Sequence, residues 1–391
     1  MIRAAKRPVI YAGGGIISSG SSKKLDEFSK ILNIPVATTL MGLGCVDPME
    51  PKNLYWFGMH GTYAGNTAVF ESDLLIALGT RFDDRITGAV SKFAPDAKII
   101  HLDIDLSEHN KNVKADFSVC AEAGNALSKL ISAAKSEARK PDFSNWIARI
   151  GELKKLHPYP FAKRERKNIT SQDAIAELYK ISGGGVLVTT GVGQHQMWTP
   201  QNFIFSKPRQ FISSLGAGTM GFGLPAAIGA RVGSAREFDD KKPVWLIDGD
   251  GSFQMTSEEL AAAFLDHAPV KIALLNNSVY GMVRQWQTLF YNHHYSATNL
   301  LDGENTSDIV DVPDFVKLAE AYGCVGMRAF TKDEAIECIK KANEINDRPV
   351  LIDFRVWKDA MVWPMVAAGD SNDNVTYMPG VKPLQRAGEN E

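Results

Sequence analysis

Short apolar runs alternate with amphipathic segments along most of the chain. The apolar run at 8–11 predicts a buried strand, and the segment at 21–33 predicts an amphipathic helix. The same alternation continues to about residue 138 and resumes near Thr170. Strands that alternate with helices favour parallel sheets covered on both faces. We therefore predict an α/β protein with two doubly wound parallel-sheet domains.

The other predicted elements follow the same order. Strands are predicted at 35–39, 73–78, 98–104, 186–190, 211–214, 244–247, 271–275 and 350–356, and helices at 121–138, 171–181, 221–232, 257–267 and 282–291. Residues 140–167 are charged, contain three prolines and have few apolar positions, which is typical of a linker. We place domains at 1–139 and 170–357, a linker at 140–169 and an irregular arm at 358–391.

Composition and charge exclude several classes of protein. The chain has 391 residues, enough for two or three domains, and 45% of them are hydrophobic. Lys and Arg number 43 against 45 Asp and Glu, so the net charge of −2 disfavours a nucleic-acid or membrane-surface partner. The four cysteines are far apart, no apolar run approaches the ~20 residues of a membrane span, and residues 1–10 lack the apolar core of a signal peptide. We expect a small-molecule substrate and a cytoplasmic location.

Polar residues follow two consecutive strands in the second half of the chain. The sequence DGDGS at 248–252 follows one strand, and NN at 276–277 follows the next. A crossover helix between parallel strands brings their carboxyl ends to one edge of a sheet, so Asp250 and Asn277 should converge. Their oxygen atoms suit Mg²⁺, which takes further ligands from phosphates, and the glycines allow main-chain N–H groups to approach a phosphate. Two unrelated tight turns are the alternative.

Further motifs extend this pattern over nearly the whole chain. Asn277 follows Asp250 by 27 positions. The other motifs are GGG at 13–15, TLMGLG at 39–44, GMHG at 58–61, RFDDR at 81–85, GQHQMW at 193–198, GTMGFGLP at 218–225 and GMVRQWQ at 281–287. In this order they resemble the thiamine diphosphate enzymes, and within them the acetohydroxyacid synthase (acetolactate synthase) catalytic subunits. The resemblance implies a thiamine diphosphate-binding fold in the second domain and a Rossmann-like central domain in the first.

The resemblance also implies the ligands of the second domain. Mg²⁺ would be held by Asp250, Asn277 and the main-chain carbonyl of Val279. Thiamine diphosphate would contact Gln194, His195, Gly218, Met220, Asp250, Gly251, Ser252, Asn277, Gly281 and Met282. Met220 would support the bent form of the cofactor, and ordinary packing beside a glycine-rich helix start is its alternative role. His195 has a structural alternative as well, as a satisfied surface or core histidine.

FAD is implied as the ligand of the first domain. Its candidate contacts are Gly14, Thr39, Leu40, Gly58, Met59, His60, Gly79, Arg81, Asp83, Asp103, Ile104 and Glu122. From the residues alone the evidence is weaker, because GGG at 13–15 lacks the third glycine of the dinucleotide fingerprint and a strand-end aspartate such as Asp103 also forms turns. For the second substrate, the resemblance implicates Arg85 and Trp286. A surface ion pair is the alternative for Arg85, and a packed helix face is the alternative for Trp286.

The implied reaction is a carboligation. Pyruvate would lose CO₂ and its remaining carbons would join a second 2-keto acid, giving 2-acetolactate from pyruvate or 2-aceto-2-hydroxybutyrate from 2-oxobutyrate. This is the first common step of valine, leucine and isoleucine biosynthesis. A homodimer or tetramer and a small regulatory subunit are the implied assembly. The alternatives are another thiamine diphosphate and flavin enzyme, of the pyruvate oxidase or glyoxylate carboligase type, or a noncatalytic cofactor-binding module.

One expected catalytic group is missing from the sequence. The family carries an N-terminal pyrimidine-binding domain whose glutamate activates the cofactor, whereas this sequence begins at the flavin domain. Glu258 and Glu259 favour a role at a helix N-terminus rather than as its replacement. We therefore expect no activating glutamate here and a partial chain that is weakly active or inactive alone.

Overall fold

The computed structural model describes residues 1–157, 169–237, 243–300 and 313–377. Within them the chain forms two compact units. The first unit lies within Met1–Phe161, Phe205–Arg209 and Trp363–Glu391, and the second lies within Ala162–Ile204 and Gln210–Val362. Each unit is built on its own parallel sheet, so the predicted α/β class is confirmed.

Six parallel strands form the sheet of the first unit. They are β1 (Pro8–Ala12), β2 (Val36–Thr38), β3 (Asn53–Trp56), β4 (Leu74–Leu78), β5 (Lys98–Asp103) and β6 (Phe117–Cys120), in the order β3-β2-β1-β4-β5-β6. Every residue of β1 and β4 is buried, as expected for unbroken apolar runs in strands covered on both faces. The core of this unit therefore lies on both sides of its two central strands.

Helices cover this sheet. They are α1 (Gly14–Ser18), α2 (Ser22–Leu32), α3 (Tyr63–Glu71), α4 (Asp84–Thr87), α5 (Ala123–Ser136) and α6 (Ser144–Leu156), with short 3₁₀ helices at Ile2–Ala4, Leu40–Gly42, Val90–Lys92 and Leu106–Glu108. The linker predicted at 140–169 is wrong over α6, because Trp146, Ile150 and Leu153 are buried in the core of the unit. Their spacing of three or four positions buries one face of a helix among charged neighbours. Residues 158–168 of the predicted linker lie outside the described residues.

Six parallel strands also form the sheet of the second unit. They are β7 (Leu187–Thr190), β8 (Phe211–Ser213), β9 (Val244–Gly249), β10 (Lys271–Asn276), β11 (Val325–Ala329) and β12 (Val350–Arg355), in the order β11-β12-β10-β9-β7-β8. β7 pairs with both β8 and β9, so the strand order reverses between β7 and β9. Open α/β sheets bind ligands at such a reversal, beyond the carboxyl ends of the strands.

The helices of the second unit include one correction to the sequence prediction. They are α7 (Ser171–Ser182), α8 (Gln194–Asn202), α9 (Gly223–Glu237), α10 (Asp250–Phe253), α11 (Leu260–Leu265), α12 (Gly281–Phe290), α13 (Phe315–Ala321) and α14 (Lys332–Glu344). The helix predicted at 257–267 is instead a 3₁₀ helix at Gln254–Glu259 followed by α11. Thr256 has a non-helical backbone with φ −145°, where its hydroxyl donates to the carbonyl oxygen of Gly221 at 2.8 Å. In neither unit is any described helix both apolar and long enough to span a membrane.

The described part of the predicted C-terminal arm contains regular structure. β13 (Met365–Val366) pairs antiparallel with β14 (Val375–Thr376), and both strands belong to the first unit. Met365 and Val366 are buried, which gives this segment a fixed place in that unit. Residues 378–391 lie outside the described residues.

Candidate functional site

A pocket opens at the strand reversal of the second unit. Its empty volume is about 480 Å³, and the segments that follow β7, β9 and β10 all contribute to its wall. The lining residues are Val192, Gly193, Gln194, His195, Trp198, Met220, Gly249, Asp250, Gly251, Ser252, Leu275, Asn277, Val279, Tyr280, Gly281, Met282 and Val283. Asp250 and Asn277 thus lie in one pocket, as the order of their strands predicts.

Two helices of the second unit begin at this pocket. α8 begins at Gln194 and α12 begins at Gly281, and both residues line it. The first turn of a helix presents unpaired main-chain N–H groups and the positive end of the helix dipole, which together bind anions. Gly281 leaves no room for a side chain, because a Cβ there would lie 2.1 Å from Oε1 of Gln194. The pocket is therefore suited to a phosphate or diphosphate group.

Asp250 brings a buried carboxyl group to the pocket. Only 3% of its surface is exposed. Burial raises the pKa of Asp250 to about 7, although the main-chain N–H groups of Gly251 and Ser278 and the charge of Arg355 act to lower it. A buried carboxylate is costly in its ionised form unless enough positive charge lies beside it. A divalent metal ion in the pocket would supply that charge.

Amide and main-chain oxygen atoms near Asp250 add to the possible metal ligands. Oδ1 of Asn277 accepts a hydrogen bond from the main-chain N–H of Val279 at 3.2 Å, and Val279 also lines the pocket. Oε1 of Gln194 is buried and has no hydrogen-bond partner among the described residues. The described residues contain no group of three His, Cys, Asp or Glu side chains able to hold a metal. One carboxylate beside amide and main-chain oxygen atoms fits Mg²⁺, which binds through few carboxylates and completes its shell with a phosphorylated ligand and water.

His195 and Asp248 form a buried pair at the pocket. Nε2 of His195 lies 3.2 Å from Oδ1 of Asp248, and the two side chains are 6% and 0% exposed. The same carboxylate oxygen accepts the main-chain N–H of Gly249 at 2.9 Å. Sequence reasoning missed this pair, because no spacing rule connects a strand-end aspartate with a histidine on another loop.

Gln194 connects three segments of the second unit. Its Nε2 donates to Oε1 of Gln285 at 2.9 Å and to the carbonyl oxygen of Ala360 at 2.8 Å. Gln285 is buried, donates to the carbonyl oxygen of Val362 at 3.2 Å and accepts the N–H of Val362 at 2.8 Å. These bonds hold the start of α12 against the start of α8. Gln285 was not predicted as a site residue. The one feature of the sequence that could have indicated it is a polar side chain within an amphipathic helix.

The structure brings together most residues predicted for thiamine diphosphate. Every one of them except Gly218 lines the pocket, and Gly218 is exposed. Ser252 also has a structural task, because its Oγ accepts the main-chain N–H groups of Val192 and Gly221 at 3.3 and 3.2 Å. Tyr280 is an additional lining residue, and its ring fills the space that a side chain at position 251 would need. The ligand contacts of these residues stay predictions.

Trp286 lies on α12 and is not among the residues that line the described pocket. Its ring packs edge-to-face on Phe290, with ring centres 5.4 Å apart. Met282, four positions earlier, does line the pocket. α12 therefore connects the pocket wall with Trp286, whose predicted contact with the second substrate stays a prediction.

The residues predicted for FAD share one edge of the first sheet. They follow or end the strands in this way: Gly14 after β1, Thr39 and Leu40 after β2, Gly58, Met59 and His60 after β3, Gly79, Arg81 and Asp83 after β4, Asp103 and Ile104 at the end of β5, and Glu122 after β6. All six strands are parallel, so these positions lie at their carboxyl ends. Ile104 is 69% exposed and adds apolar surface to this edge.

Several charged candidates at this edge have local partners. Oδ1 of Asp103 accepts the main-chain N–H two residues further on at 2.9 Å. The carboxylate of Glu122 accepts two main-chain N–H groups at the start of α5, both at 2.9 Å. Nη1 of Arg85 lies 3.2 Å from Oδ2 of Asp84, and both side chains are exposed. These contacts are the structural alternatives for these residues, and their ligand roles stay predictions.

His60 should make the stability of the first unit pH-dependent. It is 4% exposed, Nδ1 lies 3.1 Å from the carbonyl oxygen of Pro364, and burial lowers the pKa of His60 to about 4 from 6.5. Between these values the unfolded chain binds more protons than the folded one, so stability falls as the pH falls from 6.5 to 4. We expect a loss of up to about 3 kcal/mol in urea unfolding. His60→Gln should remove this part of the pH dependence, and an unchanged slope in the variant would contradict the prediction.

Comparison with known proteins finds a family model that matches part of each unit. Residues 1–130 match the family model described as thiamine pyrophosphate enzyme, central domain, and residues 191–354 match thiamine pyrophosphate enzyme, C-terminal TPP binding domain. All residues that line the pocket fall within the second match.

Curated relatives match almost the whole chain. It is 44% identical to the acetolactate synthase of Mycobacterium bovis over 98% of its own length and 61% of the relative's. It is 46% identical to the acetolactate synthase large subunit of Corynebacterium glutamicum, over 98% of its own length and 60% of the relative's. It is 42% identical to the mitochondrial acetolactate synthase catalytic subunit of Saccharomyces cerevisiae, over 98% of its own length and 56% of the relative's. The chain thus spans about three fifths of the length of the curated relatives that it matches.

Proposed function

Since the chain belongs to the thiamine pyrophosphate enzymes, we propose that it is the flavin- and diphosphate-binding part of an acetolactate synthase catalytic subunit. The observation that carries this proposal is the pocket at the strand reversal, where the buried Asp250 and Asn277 lie beside the starts of two helices. Relatives named acetolactate synthase, similar over 98% of this chain, favour that reaction over others in the family.

Thiamine diphosphate and Mg²⁺ are the proposed cofactors of the second unit. Asp250, Asn277 and the main-chain carbonyl of Val279 would hold Mg²⁺, and the N–H groups at the starts of α8 and α12 would hold the diphosphate. Met220 would contact the cofactor as an apolar wedge. When bound, thiamine diphosphate supplies the nucleophilic carbon that allows a 2-keto acid to lose CO₂. The protein binds the diphosphate, orients the rings and excludes water.

The proposed reaction joins two 2-keto acids. Pyruvate loses CO₂, its former keto carbon forms a bond to the keto carbon of a second pyruvate or of 2-oxobutyrate, and the oxygen on that second carbon takes up a proton, which gives 2-acetolactate or 2-aceto-2-hydroxybutyrate. Trp286 would shape the space for the second keto acid. Arg85 would bind a substrate carboxylate through its guanidinium group, which is carried on a 64% exposed side chain.

FAD is the proposed ligand of the first unit, along the carboxyl edge of its sheet. That edge offers main-chain groups after six parallel strands and an exposed apolar side chain at Ile104. A homo-oligomer with a small regulatory subunit is the proposed assembly, since relatives carry the names large subunit and catalytic subunit. The four cysteines are free, which supports a reducing compartment such as the cytoplasm.

Cofactor binding by this chain tests the proposal. Thiamine diphosphate added with Mg²⁺ should change the tryptophan fluorescence saturably, because Trp198 lines the pocket, and removal of Mg²⁺ by a chelator should reverse the change. Absence of saturable binding would contradict the proposed function. Turnover of pyruvate to 2-acetolactate is measured in a protein extended to the length of its relatives. Acetyl phosphate or tartronate semialdehyde as the product would instead indicate a pyruvate oxidase or a glyoxylate carboligase.

A further inference from the structure

We propose that Asp248 is a positioning residue, which orients His195 toward the diphosphate of thiamine diphosphate; this inference rests on the proposed function. Asp248 is the next-to-last residue of β9, and its side chain is fully buried. It does not line the pocket and has no place in the Mg²⁺ site proposed above. A buried carboxylate is costly unless a partner compensates for it, so its partner indicates its task.

The contacts of Asp248 fix one edge of the His195 ring. Oδ1 of Asp248 lies 3.2 Å from Nε2 of His195 and accepts the N–H of Gly249 at 2.9 Å. The main chain crowds this oxygen from another side, because a Cβ at Gly191 would lie 2.0 Å from it. The carboxylate therefore has one position, between the loop after β7 and the histidine.

The other ring nitrogen of His195 faces two glycines of the pocket wall. A Cβ at Gly249 would lie 2.8 Å from Nδ1, and a Cβ at Gly193 would lie 3.2 Å from it. Both glycines line the pocket beside His195, and neither carries a side chain that would cover Nδ1. A phosphate oxygen of the ligand would therefore meet the ring at Nδ1, while the carboxylate of Asp248 lies against its opposite edge at Nε2.

A double-mutant cycle tests the inference by equilibrium binding of thiamine diphosphate with Mg²⁺, followed by tryptophan fluorescence. The four proteins are the wild type, Asp248→Asn, His195→Gln and the double variant. Each single variant should bind about tenfold more weakly, as expected for one hydrogen bond to a charged group. The double variant should bind no more weakly than His195→Gln, since Asp248 acts through His195. Penalties that multiply in the double variant, or an Asp248→Asn protein that binds like the wild type, would overturn the inference.

Asp353 supplies a matched control. It is fully buried on β12, and its Oδ2 accepts a hydrogen bond from Nε of Arg328 at 2.8 Å, but it does not line the pocket. Asp353→Asn should leave cofactor affinity unchanged. A loss of affinity equal to that of Asp248→Asn would show a general effect of neutralising a buried aspartate and would overturn the inference.

Two further results keep the test decisive. If Asp248→Asn does not fold, Asp248→Ser replaces it in the cycle, and an unchanged affinity of His195→Gln alone still overturns the inference. A wild-type chain that fails to bind thiamine diphosphate would overturn the proposed function itself. That outcome is distinct from a wild-type chain that binds while the cycle shows no coupling.

Discussion

Asp250→Asn should strongly weaken the binding of thiamine diphosphate with Mg²⁺ and, at the same time, stabilise the ligand-free chain. Asp250 is the one carboxylate among the residues that line the described pocket. Without it a metal ion would face amide and carbonyl oxygens alone, and we expect affinity to fall at least about a hundredfold, which corresponds to about 3 kcal/mol. The measurement is the same fluorescence titration. Binding within about tenfold of the wild type would contradict the assignment of Asp250 to the metal.

The gain in stability follows from the burial of Asp250. Its pKa is about 7 in the folded chain and 3.8 in the unfolded chain, so the folded state binds more protons between these values. Wild-type stability therefore falls as the pH rises from 3.8 to about 7 and stays low above that. Asparagine carries no charge, so the variant should be up to about 4 kcal/mol more stable above that window and nearly equal below it.

Urea unfolding without metal, on both sides of the pH window, measures this gain. Asp266→Asn is the matched control, because Asp266 is an exposed aspartate of the same unit. It should leave cofactor affinity unchanged. An Asp250→Asn protein that is less stable than the wild type above about pH 7 would contradict the account of its burial. The result would show whether the Asp250 carboxylate serves ligand binding or the stability of the fold.

Much of the site could be predicted because parallel strands have a direction. Once β9 and β10 were assigned, their carboxyl ends had to meet at one edge, and this placed Asp250 beside Asn277. The contacts between Gln194 and Gln285 and between His195 and Asp248 could not be predicted in this way. They depend on which way a side chain points from a loop or a helix start, and no periodicity encodes that direction.

Three elements that the sequence prediction missed lack a clear apolar pattern. β6 has the burial pattern of an exposed edge strand, so its residues show neither a continuous run nor a regular alternation. β11 contains Gly326, which weakens any strand signal. α6 has three buried apolar side chains among ten other residues. These are too few to indicate a helix in a sequence that also carries many charges and flanking prolines. The structure of β6, β11 and α6 is therefore decided by packing against the rest of their units.

The glycines at 13–15 follow β1, and two of them lie against the main chain of another loop. A Cβ at Gly13 would lie 2.2 Å from the carbonyl oxygen of Gly79 and 2.6 Å from Cβ of Thr80. A Cβ at Gly15 would lie 2.6 Å from Cα of Gly79. The loops after the neighbouring strands β1 and β4 therefore pack main chain against main chain. This packing requires small residues whether or not a nucleotide lies nearby.

Gly13→Ala should for this reason destabilise the first unit by about 4 kcal/mol in urea unfolding. The main chain cannot withdraw easily, because the N–H of Gly13 donates to the carbonyl oxygen of Leu78 at 3.0 Å. Gly151→Ala in α6 is the control: nothing lies within 4 Å of its added Cβ, and it should gain up to about 1 kcal/mol. A Gly13→Ala protein that keeps its stability and loses only FAD binding would contradict this account, because the glycine would then serve the ligand rather than the contact with Gly79.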